Sequence, residues 1–317
     1  MFSITRVSIQ NRAIKMMSKL PLIFRRSTVL PASYPAVQQA VRHLSSAAVP
    51  LKVEKRSPLM FCRQCEQTSN NVGCSRIGVC GKSPQTSNTQ DALIEVIKFV
   101  SSWCVAARKA GATPQDLREA SIWTLRATFS TLTNVNFDKN IIADYVREGL
   151  RIKKELLESL VQDPNTTYFY ILNGDTQYLD RDLHETASLR DIEAFGKKVG
   201  VLKRKERMKN DDAFSLNEIA TYGLKGVCAY ASHINQMGRV DDENVMAPIH
   251  EIWAKLSSNE TNVEEMLSTA LRVGEVNAKA LKLLDNTHAE KFGTPEPTRV
   301  KVTAVKGKAI LVSGEKR

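Results

Sequence analysis

The sequence predicts a mainly α-helical protein: helical bundles in two three-helix-type layers, followed by the first strand of a truncated α/β (Rossmann-like) domain. Three observations support this prediction. Four cysteines fall within one glycine-containing, loop-like stretch, and from about residue 89 to residue 285 apolar residues recur mainly with a helical period. The last twenty residues instead contain the apolar, β-branched run of a buried parallel strand.

We divide the chain into three parts: residues 1–51, a cysteine loop plus helical domain at 52–292, and a linker with the incomplete α/β domain at 293–317. Residues 1–51 contain seven Arg or Lys and no Asp or Glu. This composition is typical of a disordered mitochondrial-type transit peptide, which places the protein in the mitochondrial matrix or a related organelle. A disordered basic arm is the alternative.

Charge and hydropathy exclude two classes of partner. Removing the seven positive charges of residues 1–51 lowers the net charge from +11 to +4 (11 − 7 = 4), and the remainder contains no basic stripe interleaved with aromatic residues. We therefore expect no nucleic-acid partner. No stretch is apolar for the ~18 residues of a membrane span, so we expect no membrane contact either. The basic run at 203–209 reads as a solvated helix face or loop.

Helix signals follow the cysteine loop. A stripe of apolar residues predicts a first helix from about Thr89 to Ala110, with Asp91 in its first turn. The stripe consists of Leu93, Val96, Ile97, Val100 and Cys104. Thr113, Asp138 and Ser215 are predicted N-caps of later helices. Cys104 and Cys228 lie at apparent packing positions, so we expect both to be core residues.

The cysteine loop has the spacing C-x2-C-x8-C-x5-C, formed by Cys62, Cys65, Cys74 and Cys80. Four thiolates together require a metal, an iron–sulfur core or oxidation in pairs. A structural zinc site, an iron–sulfur cluster and two disulfides all remain open on spacing alone. Disulfides are disfavoured in a matrix-directed chain, where thiols are mostly kept reduced.

The residues around the cysteines favour an anionic core. Glycines 73, 78 and 81 let the backbone turn around a compact object. Arg63, Arg76 and Lys82 are expected to offset the remaining negative charge.

The loop also carries longer motifs: Met60-Phe-Cys-x-Gln-Cys-Glu-Gln-Thr68, Gly78-Val-Cys-Gly-Lys-Ser-Pro84 and Gln90-Asp-Ala-Leu93. Together they resemble the amino-terminal signature of the hybrid cluster proteins, the prismane or hydroxylamine reductase family. Further segments resemble the family in the same order, at 131–138, 215–226, 274–277 and 292–300. The resemblance covers about residue 60 to the last residue.

The resemblance implies an iron–sulfur oxidoreductase that reduces hydroxylamine to ammonia or nitric oxide to nitrous oxide. It implies a proximal [4Fe–4S] cluster on Cys62, Cys65, Cys74 and Cys80, and an electron donor protein and a small nitrogenous substrate as partners. In the family, the reaction occurs at a hybrid iron–sulfur–oxygen cluster held by one His, two Glu and four Cys of the α/β domains. The first of these ligands follows the Ser-Gly that ends the strand; here Glu315 stands there.

We therefore expect this chain to keep the proximal cluster, to lack the hybrid cluster and to contain no catalytic residue. Two interpretations follow from this. The chain is a truncated family member without its reaction centre, or it is a non-catalytic iron–sulfur module for electron transfer or regulation. A zinc-stabilised helical domain is a third.

Overall fold

The computed structural model describes residues 57–161, 179–258, 261–297, 299, 306–308 and 310. The predicted transit peptide at 1–51 lies outside these residues, and the predicted terminal strand lies almost wholly outside them. Both stay predictions.

The described chain consists mainly of helices, which confirms the mainly α fold class. A π-helical turn, Lys153–Leu157, follows the helix that ends at Ile152, and another, Asp242–Met246, precedes the helix that begins at Ala247. In chain order the helices are α1 (Pro84–Lys109), α2 (Arg118–Ser130), α3 (Lys139–Ile152), α4 (Glu158–Leu160), α5 (Leu179–Asp182), α6 (Leu189–Val199), α7 (Val201–Met208), α8 (Asp211–Gln236), α9 (Ala247–Ser257) and α10 (Val263–Phe292).

Helix α1 is the central element. It begins at Pro84, earlier than predicted, because the Ser83 side chain accepts a hydrogen bond from the Thr86 amide and proline suits the first helical position. The prediction that Asp91 lies in the first turn is therefore wrong. The apolar stripe is buried, but so are most other positions, 20 of 26 residues in all. Such a helix is enclosed on all sides: α2, α3, α6 and α9 pack against it.

The predicted caps have different outcomes. Asp138 caps α3 as expected, by accepting a hydrogen bond from the Asn140 amide. Thr113 and Asp116 exchange the predicted hydrogen bonds, but turns follow and α2 begins only at Arg118.

The predicted cap at Ser215 is also wrong. Helix α8 begins four residues earlier, because the Asn210 side chain accepts hydrogen bonds from the amides of Asp212 and Ala213. Ser215 lies inside the first turns, where its hydroxyl donates to the carbonyl oxygen of Asp211. Either residue type can cap a helix, so the choice depends on where the chain first packs.

The two predicted layers meet at helix α1. Helices α1, α2 and α3 contact one another, and α8 contacts both α9 and α10. Helix α9, however, packs mainly against α1, and α6 does so as well. The predicted core positions of Cys104 and Cys228 are confirmed, since both are fully buried. Among the described helices, none combines the length and apolar character needed to cross a bilayer.

Two helical glycines give a matched test of this packing. A Cβ atom at Gly196 of α6 would lie 1.8 Å from the carbonyl oxygen of Asn88 in α1, whereas one at Gly274 of α10 would meet nothing within 4 Å. We expect G196A to lower the free energy of unfolding by about 1–3 kcal/mol or more, as overpacking does. G274A should raise it by about 0.5–1 kcal/mol. Urea titrations of both variants check this; equal effects would contradict the close approach of α6 to α1.

Candidate functional site

The cysteine loop is closed by a short backbone pairing. The amide of Cys62 donates to the carbonyl oxygen of Cys74 at 3.1 Å, and the amide of Cys74 donates back at 2.8 Å. The Leu59 amide extends the pairing to the Ser75 carbonyl at 3.0 Å. The pairing therefore brings the first and third cysteines together. Cys74 is buried, and the side chains of the other three cysteines are partly exposed.

A tight turn positions the fourth cysteine. The amide of Gly78 donates to the Lys82 carbonyl at 2.8 Å, and the amide of Gly81 donates to the Gly78 carbonyl at 2.8 Å. Gly81 has a φ of 89°, which favours glycine. A Cβ atom at Gly78 would lie 3.0 Å from the sulfur of Cys80. Glycine thus lets the backbone pass close to this sulfur.

All four loop cysteines are free thiols. Within the described residues, no three His, Cys, Asp or Glu side chains are grouped closely enough to hold a single metal ion. The structure therefore brings the four thiols into one loop but does not gather them around one point. An iron–sulfur cluster has a different requirement, because its four thiolates bind different iron atoms of an extended core.

Lys82 contacts a loop sulfur as predicted. Its Nζ lies 3.9 Å from the Cys62 sulfur and donates to the Gln90 side-chain oxygen at 2.6 Å. The lysine is buried, with 4% of its surface exposed. Lys82 thus places a buried positive charge beside the first loop cysteine.

Arg63 also pairs with a carboxylate of the helical core. Its guanidinium lies 3.6 Å from the Glu218 carboxylate of α8 and 5.0 Å from the centre of the Phe214 ring. Arg63 therefore anchors the loop to α8.

Glu218 belongs to a buried ion network. Its Oε1 accepts hydrogen bonds from two nitrogens of Arg204, at 3.2 and 2.9 Å, and its Oε2 accepts one from the Tyr222 hydroxyl at 3.1 Å. Burial alone would raise the pKa of Glu218, but Arg204 and Arg63 outweigh it and hold this pKa below its usual value. Glu218 is therefore ionised in the folded protein.

Arg204 extends this network to the central helix. It lies 3.6 Å from Glu95 of α1, which in turn pairs with Lys98 at 2.8 Å. We predicted that the run at 203–209 is solvated, but Arg204 within it is buried. The run belongs mainly to α7, and the helical turn directs the buried face, with Arg204 and Met208, inward.

A second lysine reaches the loop from α8. Lys225 is buried, and its Nζ donates to the side-chain oxygen of Gln64, between the first two cysteines. Burial, followed by repulsion from Lys82, lowers the pKa of Lys225 to about 7. An anion beside these two lysines would relieve both effects.

Cations outnumber anions around the loop. Desolvation also raises the pKa of Asp91 to about 7, so this carboxyl is partly protonated at neutral pH. The excess of two positive charges fits an anionic group held by the four thiols. The network contains five cations and three acidic groups: Arg63, Lys82, Lys98, Arg204 and Lys225, against Asp91, Glu95 and Glu218.

Sequence reasoning missed Arg204, Glu218 and Lys225 as site residues. The sequence does contain a signal for Glu218 and Lys225. Together with Tyr222 they recur at helical spacing and place polar groups on one face of α8. No comparable pattern identifies Arg204, since it lies among other basic residues.

Two open grooves lie on the described surface. One, of about 680 Å³, runs between α2 and α3, and the other, of about 880 Å³, lies between the start of the loop and α7. Neither is lined by a cysteine. A cavity of about 20 Å³ borders Cys62 and also Thr221, whose buried hydroxyl has no hydrogen-bond partner. It can hold one water molecule.

Comparisons with known proteins show the family to which this chain is similar. The Prismane/CO dehydrogenase family model matches residues 60–316. The hydroxylamine reductase of Crocosphaera subtropica is 34% identical over 257 residues, which are 80% of this chain and 44% of that protein. The hydroxylamine reductase of Salmonella paratyphi C is 34% identical over 268 residues, 80% of this chain and 45% of that protein. The chain thus spans less than half the length of these curated relatives.

The ion network predicts a large effect at Glu218. E218A leaves Arg204 buried without its closest carboxylate and should lower the free energy of unfolding by about 3–5 kcal/mol. E206A removes a carboxylate from the exposed pair with Lys203 and should cost at most about 1 kcal/mol. Urea unfolding of both variants measures the difference. Equal small losses would mean that the network does not hold the loop and helices together.

Proposed function

We propose that this chain, which belongs to the Prismane/CO dehydrogenase family, holds one [4Fe–4S] cluster on Cys62, Cys65, Cys74 and Cys80. We further propose that this cluster passes electrons in a hydroxylamine-reductase-type oxidoreductase. The observation that carries the proposal is a loop of four free thiols packed against more cations than carboxylates, with the Lys82 Nζ 3.9 Å from the Cys62 sulfur.

The alternatives fit this site less well. Two disulfides would be neutral and would leave Lys82 facing uncharged sulfur. A zinc tetrathiolate carries negative charge too, but it needs four sulfurs around one ion and supplies no redox chemistry. The relatives named as hydroxylamine reductases favour the redox-active group.

The residues of the chain have defined tasks in this proposal. When bound, the cluster supplies one-electron transfer. The four thiolates hold it, and the turn at Gly78 leaves room beside Cys80. Lys82 and Lys225 balance negative charge, while Arg63 fixes the loop on α8 through Glu218. An electron donor protein is the proposed partner.

The proposed overall reactions are those of the family, hydroxylamine to ammonia or nitric oxide to nitrous oxide. They require a second, hybrid centre with its own set of ligands. Apart from the loop cysteines, the chain contains Cys104 and Cys228, and burial raises the pKa of each thiol to about 12. These buried thiols lie on two different helices, α1 and α8. A non-catalytic module for electron transfer or regulation is therefore our second candidate function.

The cluster proposal predicts the metal content. Anaerobic reconstitution of the chain should give about four irons and four acid-labile sulfides per molecule. C74S removes a ligand and should abolish or strongly reduce this content, whereas C228A, at a core position, should retain it. Iron and sulfide analysis with electron paramagnetic resonance of the reduced protein measures both. Stoichiometric zinc without labile sulfide would refute the proposal.

The cluster proposal also predicts the activity of the chain expressed by itself. We expect the reconstituted 317-residue chain not to reduce hydroxylamine above the background of free clusters, because the two thiols outside the loop are too few to hold a second iron–sulfur centre. An assay with reduced methyl viologen measures this, with C74S as the cluster-free control. Steady turnover together with clearly more than four irons per chain would contradict the expectation.

A further inference from the structure

Lys82 is a buried cation without a carboxylate partner. Among the described residues, no Asp or Glu oxygen lies within ion-pair distance of its Nζ. Its two neighbours are the neutral amide oxygen of Gln90 and the sulfur of Cys62, at 2.6 and 3.9 Å. Taking a charge out of water is unfavourable unless an opposite charge replaces the water. The sulfur is the neighbour that can supply one.

Gln90 holds the lysine in this position. It is buried on α1, and its side-chain nitrogen donates to the carbonyl oxygen of Asn136 at 3.3 Å. This bond fixes the direction of the amide, so its oxygen faces Lys82. A glutamate at the same place would neutralise the ammonium group. Glutamine therefore orients the lysine and leaves its positive charge available.

We propose that Lys82, oriented by Gln90, is a positioning residue that raises the reduction potential of the cluster by donating to the Cys62 sulfur. This inference rests on the proposed function, because it requires the cluster. Reduction adds one negative charge to the cluster, and a fixed cation beside a ligand sulfur stabilises the reduced form more than the oxidised form. Hydrogen bonds to the sulfurs and net charge are known determinants of such potentials.

The test compares variants that change this charge with variants that preserve it. K82M removes the charge, and Q90E, which is nearly isosteric, pairs it with a carboxylate. K82R keeps the charge near the sulfur. K279M removes the same charge from an exposed position on α10 and controls for net charge. The whole chain is reconstituted in each case, and iron content is measured before redox titration monitored by electron paramagnetic resonance.

We expect the ratio of reduced to oxidised cluster at a fixed potential to fall about tenfold in K82M, which for one electron corresponds to about 59 mV. Q90E should shift in the same direction with full iron content, while K82R and K279M should stay near the parent. Q90E therefore tests the effect of the Lys82 charge on the reduction potential even if K82M loses its cluster.

Two outcomes would overturn the inference, and they differ in what else they affect. Parent and Q90E proteins with four irons and equal potentials would refute the role of Lys82 alone. A parent protein without iron and labile sulfide would refute the proposed function together with it.

Discussion

The ion pair between Arg204 and Glu218 joins the parts of the molecule that form the site. It connects α7 to α8, reaches α1 through Glu95 and reaches the cysteine loop through Arg63. A buried charge is tolerated only with its partners in place, so each of these segments must be correctly packed for the others to be stable. The stability of the helical core and the position of the cysteine loop therefore depend on each other.

Glutamines complete this arrangement where carboxylates would be expected. Gln64 and Gln90 accept hydrogen bonds from the two buried lysines nearest to the sulfurs. An amide oxygen satisfies a donor without cancelling its charge. The positive potential near the loop sulfurs is therefore retained. Burial and the neighbouring Lys82 lower the pKa of Lys225 in this arrangement. Such a loop is better suited to an anionic group than to a neutral one.

The sequence alone predicted the helical class and the core positions of Cys104 and Cys228, since each depends on local spacing. The assignment of the four loop cysteines to a cluster stays a prediction. The sequence did not predict the partner of Arg63, because Glu218 lies 155 residues away (218 − 63 = 155). It also placed Ser215 at a helix start that belongs to Asn210, because both residues carry a capping side chain and only packing decides between them. Arg204 is buried because it lies on the inner face of α7, and the basic residues around it gave no pattern that predicts this burial.

The same separation along the chain has a consequence for biosynthesis. The thiols of the cysteine loop leave the ribosome well before Glu218 and Lys225, the side chains that will anchor the loop and balance its charge. At about 5–20 residues per second, the interval from Cys62 to Glu218 is roughly 8–30 seconds. During this time the nascent loop presents its four thiols without Arg204 and Lys225, two of the cations that later lie near it. Protection of these sulfurs from oxidation must then come from the surrounding compartment or from bound factors, and not from the fold.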